Sequence, residues 1–168
     1  MLRRNVENGV PAAMNRLGCS YGNGGLGLVP SHKKAARLYQ RAADLGDVGA
    51  MLNLGVSYWN GRGIKLDKKK SVKYYRMAAD RGNVGAQLNL GFCYNDGEGV
   101  AQDYDEAVRF FKLAAEQGFT EAEYNLGYMY AVDLTAARDY AKAARWFGRA
   151  AAKGHREAID CLAWALAQ

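Results

Sequence analysis

Three asparagines, Asn53, Asn89 and Asn125, recur one to every 36 residues, and each amide offers both a hydrogen-bond donor and an acceptor. A ladder of such groups can pair with the backbone of an extended peptide. Apolar residues keep the same interval beside them: Leu52, Val56 and Trp59, then Leu88 and Phe92, then Tyr124 and Tyr128, with Trp164 continuing the row. Arg16 stands near the asparagine slot of the first unit. The chemistry in view is recognition of another chain, with amides holding its backbone and the row Val56, Phe92 and Tyr128 receiving its side chains. The competing reading assigns the asparagines to the fold, because most side-chain hydrogen bonds go to backbone or water. That structural reading takes precedence over the ladder.

Catalytic and metal chemistry find little support. His32 and His155 are far apart and neither belongs to a ligand-spaced cluster, so no metal site is expected and both are read as surface residues. Cys19, Cys93 and Cys161 are odd in number and occupy different slots of the repeat. They read as free, buried structural thiols, neither disulfide-forming nor nucleophilic, in a reducing compartment: cytosol or nucleus. The glycine-rich stretch Gly22 to Gly27 lacks the Gly-Lys-Ser/Thr ending of a phosphate loop and follows a helix, so it is read as a flexible connector. No catalytic residue and no cofactor is assigned.

Charge is distributed unevenly. Residues 1–84 carry 15 Lys and Arg against 5 Asp and Glu, whereas residues 85–168 carry 8 against 12. The run Lys65 to Lys70, with Lys33, Lys34, Arg37 and Arg41 one repeat earlier, forms a basic stripe that could meet nucleic acid or an anionic lipid surface. No aromatic residues interleave with it for base stacking, so a solvated face is the preferred reading and nucleic acid is disfavoured. Nor does any stretch approach the roughly 18 consecutive apolar residues of a membrane span, and the opening Met1 to Asn5 lacks the apolar run of a secretory signal.

The elements that must position these residues follow from the spacing. Ala42-Ala43, Ala78-Ala79, Ala114-Ala115 and Ala150-Ala151 recur at 36 residues, with Gly46, Gly82, Gly118 and Gly154 in step. A period of this length marks stacked supersecondary units, each needing a neighbour to cover its apolar side. Within one unit, Ala50, Leu54 and Tyr58 make the stripe of a first helix, A, which Asn60 to Gly63 ends. Asp67 then caps a second helix, B, as do Ser31, Asp103 and Asp139 in the other units, with Glu106 at capping-box spacing from Asp103. Helix B carries Val72, Tyr75, Ala78 and Ala79 on one side and Lys69, Lys70, Lys73 and Arg76 on the other. Gly55, Gly91 and Gly127 lie inside helix A, where each costs about 1 kcal/mol relative to Ala. Their recurrence implies that the rings Tyr39, Tyr75, Phe111 and Phe147 press against the helix A backbone.

Four hairpins result, over residues 11–45, 49–81, 85–117 and 121–153, followed by a lone helix over 155–168 that caps the stack. Residues 1–9 are in phase with the end of a preceding helix B, as though a longer array had been cut there. Two loops depart from the pattern: 22–30 is one residue longer, and 131–138 has Asp133 and Thr135 where the others have glycine.

The strings Ala50-x-x-x-Leu54-Gly55-x-x-Tyr58, Gly61-x-Gly63-Ile64 and Ala78-Ala79-x-x-Gly82, and their closer copy from Ala86 to Gly118, resemble the Sel-one-like repeat (SLR) family of tetratricopeptide-like solenoids. The resemblance implies an all-α, right-handed α-α superhelix over residues 1–168 as one solenoid domain. It also implies an adaptor that binds a protein or peptide on the helix A side, which lines the inner groove in such superhelices. A secreted, cysteine-rich branch linked to β-lactam binding or hydrolysis clamps each hairpin with paired cysteines, and those pairs are missing here. The expected function is therefore a non-enzymatic interaction scaffold. Its rivals are a polyanion binder acting through helix B, an enzyme of the cysteine-rich branch, and a piece of a larger protein whose catalytic or targeting domain lies elsewhere.

Overall fold

The computed structural model describes residues 2–132 and 138–168, and among these the regular elements are helical. A short α1 (Leu2–Glu7) precedes four pairs: α2 (Pro11–Asn23) with α3 (His32–Asp44), α4 (Val48–Asn60) with α5 (Lys68–Ala79), α6 (Val84–Asp96) with α7 (Tyr104–Glu116), and α8 (Thr120–Ala131) with α9 (Tyr140–Ala152). The chain ends on α10 (Arg156–Leu166). Two compact units are formed, one by residues 1–86 with 98–100 and the other by residues 87–97 with 101–168. The loop over 22–30 is shorter than expected. Gly22 and Asn23 close α2, and Gly25–Gly27 form a 3₁₀ turn with Leu26 at φ 58. Most of the fourth inter-helix loop, with Asp133 and Thr135, lies outside the described residues.

Each helix B begins at its expected cap. The side chains of Ser31, Asp67, Asp103 and Asp139 accept from the backbone N–H groups of Lys34, Lys70, Glu106 and Lys142, satisfying a donor that has no partner within the helix. Glu106 makes a two-pronged contact with Arg109 at 2.9 Å. The helix A starts also carry caps, which the spacing alone did not reveal: Asp47 accepts from Ala50 N–H at 2.7 Å and Asn83 from Ala86 N–H at 2.9 Å. These extend helix A one residue earlier than the expected starts at Gly49 and Gly85.

Within each pair, a ring of helix B lies on the glycine of helix A. A Cβ added at Gly18 would stand 2.6 Å from Tyr39, at Gly55 2.6 Å from Tyr75 and at Gly127 2.7 Å from Phe147; at Gly91 it would collide with Phe111. Tyr75, Phe111 and Phe147 are 3%, 1% and 1% exposed, and burying a ring of this kind contributes about 1.5–3 kcal/mol, which exceeds the helical cost of the glycine. In the second pair Ser71 Oγ adds a 2.7 Å donation to the Gly55 carbonyl. The basic side of helix B stays wet: Lys69, Lys70 and Lys73 are exposed and Arg76 is half-buried.

A second inter-helix contact changes its chemistry from pair to pair. Where α4 places buried Met51 beside Arg81, α6 places Gln87, whose Oε1 accepts from Gln117 at 2.7 Å. In the fourth pair the slot holds Glu123, fully buried, with Arg149 at 2.8 Å and Lys153 at 2.9 Å. Arg149 and Lys153 donate in addition to the carbonyls of Ala115 and Gly118, so the cluster ties the end of α7 to α8 and α9. Breaking a buried ion pair from one side costs about 3–5 kcal/mol, whereas replacing it with an apolar group of similar volume is near neutral.

Two outcomes are expected in urea unfolding. Gly91→Val forces Phe111 outward and lowers stability by about 1–3 kcal/mol. Arg149→Met/Lys153→Met strands the Glu123 carboxylate and costs about 3–5 kcal/mol, while Glu123→Met, which copies Met51, leaves behind only the part-exposed and solvated Arg149 and Lys153 and costs less.

Candidate functional site

In the first unit, the face of α4 turned away from the Leu54 stripe carries Leu52, Asn53, Val56 and Trp59, all half-buried. Trp59 tilts over Tyr75 with centroids 6.3 Å apart, and the Lys68 ammonium stands 4.8 Å from its ring. Asn53 belongs to a polar chain running between helices. Its Nδ2 donates to Asn15 Oδ1 at 2.9 Å and approaches Cys19 Sγ at 3.5 Å; Asn15 Nδ2 in turn donates to Asp47 Oδ1 at 3.0 Å. Asp47, the cap of α4, therefore also anchors α2. Burial, together with hydrogen bonding and charge interaction with Cys19, pushes the Tyr39 hydroxyl far above its ordinary pKa, so it stays protonated.

Asn53, Val56, Cys19 and Tyr39 line a cleft of about 290 Å³, together with Asn23, His32, Arg62 and neighbouring small residues. Arg16 is exposed but belongs elsewhere, lining a separate hollow with Leu2, Asn5 and Leu26. The structure thus brings Asn53 and Val56 together and leaves Arg16 apart.

In the second unit, Leu88 is buried at 9% exposure, and Phe92 is half-buried, edge-on to Phe111 at 5.3 Å. Tyr124 is half-buried between Phe147, at 5.9 Å, and the His155 ring, stacked at 4.5 Å. Burial and the neighbouring Cys161 raise its hydroxyl pKa. Tyr128 is 49% exposed. Asn125 Nδ2 donates to the Glu121 carbonyl at 2.7 Å, whereas the Asn89 amide has no side-chain partner among the described residues. The three asparagines therefore differ. Asn53 and Asn125 have committed their donors, and among the described residues their Oδ1 atoms accept nothing, so each keeps an acceptor for a backbone N–H. Asn89 keeps both.

Two expectations are corrected. His155 is no surface decoration: its side chain is 14% exposed, accepts from Ala158 N–H at 3.3 Å as the cap of α10, and stands 3.3 Å from Glu121. Among the described residues the cysteines form no disulfide, but only Cys93 is buried; Cys19 is exposed and Cys161 intermediate. Trp164, 47% exposed, packs edge-on against Tyr140 at 5.4 Å. Among the described residues there is no group of three or more metal-ligating side chains, and no helix is long and apolar enough to cross a membrane.

Paired helices closed by a glycine–ring contact, repeated at 36 residues and presenting apolar and amide side chains on helix A, define an all-α repeat protein of the solenoid class. The chain belongs to the Sel1 repeat family: the family model matches residues 11–47, 48–83, 84–119 and 120–155. It is similar to a protective antigen of uropathogenic Escherichia coli that displays an SLR fold, at 38% identity and a TM-score of 0.93, covering 96% of this chain and 34% of that one. A Sel1 repeat protein of Oxalobacter formigenes matches at 33% identity and a TM-score of 0.87, covering 94% and 64%. An immunity protein of Pseudomonas aeruginosa matches at 27% and 0.60, covering 94% and 58%. The chain thus spans about a third of the E. coli antigen and under two thirds of the Oxalobacter protein. No curated protein sequence matches it. Sel1-repeat proteins commonly mediate protein–protein interaction, on a repeat scaffold that is generally non-catalytic.

Asp47→Ala removes a cap and the anchor of Asn15 together, and its expected cost of about 1–2 kcal/mol is read as a lowered melting temperature. An unchanged melt would show that the Asp47–Asn15–Asn53 chain adds nothing to stability.

Proposed function

We propose that this protein is a non-enzymatic scaffold that holds a peptide or protein segment on the helix A faces of its repeats. The observation that carries the reading is Tyr128. A tyrosine in the middle of a helix whose neighbours Leu126, Gly127 and Met129 are buried is itself 49% exposed, and aromatic residues of this kind are enriched where proteins bind one another. Phe92, Leu52 and Val56 add half-buried apolar surface in the corresponding slots, and Asn53, Asn89 and Asn125 add acceptors beside them. Leu88, Tyr124 and Trp59 contribute the packed floor of these faces more than contact area.

A second reading, a nucleic-acid or anionic-surface binder, draws on the exposed cations of α3 and α5. Lys33, Lys34, Arg37, Lys69 and Lys73 form no ion pair among the described residues. Binding of RNA or DNA that falls steeply with added salt would favour it.

The first reading is tested by a pull-down with mass spectrometry on the wild type and on Phe92→Ala/Tyr128→Ala, with the melting of both proteins recorded. The expected result is a partner enriched by the wild type and lost by the variant at an unchanged melting temperature. Enrichment indifferent to the variant would move the site to helix B or the loops. Asn89→Ala and Asn125→Ala divide the amide roles: weaker binding at constant stability is expected for Asn89, whose amide supports no contact within the fold.

A further inference from the structure

Resting on the proposed function, we infer that the segment held by the first unit is acidic, and that the cleft between α2, α3 and α4 receives one of its carboxylate side chains. The cleft, at about 290 Å³, lies at the lower end of the range for whole small-molecule ligands and has room for an amino-acid side chain. Its lining supplies an apolar wall from Val56 and Ala35, the Tyr39 hydroxyl, the Asn23 and Asn53 amides, and the cations or potential cations Arg62 and His32. No aspartate or glutamate lines it. Arg62 and His32 are both exposed, and neither side chain has a hydrogen-bond or ion-pair partner among the described residues. A guanidinium left open beside an apolar wall matches a carboxylate carried on methylenes, since its planar fork binds the two oxygens together.

Two further features fit the same occupant. Tyr39 lines the cleft with its hydroxyl protonated and engaged with Cys19, so it brings no negative charge that would repel an anion. Asn53 lines the same cleft, and its Oδ1, which accepts nothing among the described residues, offers an acceptor for a backbone N–H of the segment. The wider field has the same sign: the first 84 residues carry 15 basic side chains against 5 acidic ones, and a cleft walled by protein concentrates such a potential. A nucleic acid fits less well. Its phosphates call for a track of cations with rings for the bases to stack on, whereas this cleft has two basic groups and an aliphatic wall.

Fluorescence anisotropy tests the inference with three short, dye-labelled, C-terminally amidated peptides: alternating glutamate and valine, glutamine and valine, and lysine and valine. Wild type is compared with Arg62→Ala/His32→Ala, with Lys69→Ala/Lys73→Ala, and with Phe92→Ala/Tyr128→Ala. The expected result is that the glutamate peptide binds wild type about tenfold or more tightly than the glutamine peptide, as a charge-assisted hydrogen bond allows. That preference should vanish in Arg62→Ala/His32→Ala at unchanged melting temperature and persist in Lys69→Ala/Lys73→Ala. Equal binding of the glutamate and glutamine peptides, or a larger loss from the lysine pair than from Arg62 and His32, would overturn it. So would a requirement for a free terminal carboxylate. If the glutamate peptide fails to bind while the pulled-down partner still depends on Phe92 and Tyr128, this inference falls and the scaffold reading stands.

Discussion

Each helix pair depends on a ring of the second helix lying against a stretch of the first that has no Cβ. The contact recurs as Gly18 with Tyr39, Gly55 with Tyr75, Gly91 with Phe111 and Gly127 with Phe147. It explains why a residue that weakens helices is kept in the middle of four of them: the glycine allows the two backbones to approach, and the buried ring returns more than the helix loses. It also orients helix A. With the glycine side fixed on helix B, Tyr128 is left exposed, and Phe92 meets the closing ring only edge-on at Phe111. In α10 the slot holds Ala163, and no helix B follows it among the described residues.

Around this constant contact, other slots are free to differ, and their differences give each repeat its own character. The position that holds Met51 in one pair holds Gln87 in the next and buried Glu123 in the last, each with a partner suited to it in Arg81, Gln117 and Lys153. The asparagine slot varies in the same way, through neighbours rather than through its own identity. Asn53 reaches Asn15 because α2 has a polar residue where α4 and α6 carry Leu52 and Leu88, while Asn125 turns back to its own helix at Glu121. Identical residues at identical spacing thus leave different free groups among the described residues: an acceptor alone at Asn53 and Asn125, donor and acceptor at Asn89.

This separates what could be read in the chain from what could not. The 36-residue spacing, the helix B caps at Ser31, Asp67, Asp103 and Asp139, and the glycine–ring contacts are local or strictly periodic, and pattern alone was enough to find them. The caps of helix A escape the pattern because that slot reads Asp47, Asn83, Phe119 and His155 along the chain, so no repeated residue type marks it. The burial of His155 is not legible either, because its partners, Tyr124 and Glu121, come from the preceding helix A. The cleft was invisible because it joins Cys19, His32, Asn53 and Arg62, residues that belong to no common series. Periodicity describes the scaffold, whereas the chemistry of the candidate site resides where the repeats differ.

The central claim is that the helix A face, and not the basic side of helix B, meets the partner. The most direct measurement is a titration of the bound peptide or partner followed by NMR on the side-chain amide signals of asparagine. The account requires the Asn53, Asn89 and Asn125 signals to shift with the fraction bound, while the backbone amides of Lys69, Lys70 and Lys73 stay in place. Shifts confined to those lysines, with the three asparagine amides unmoved at saturation, would contradict it.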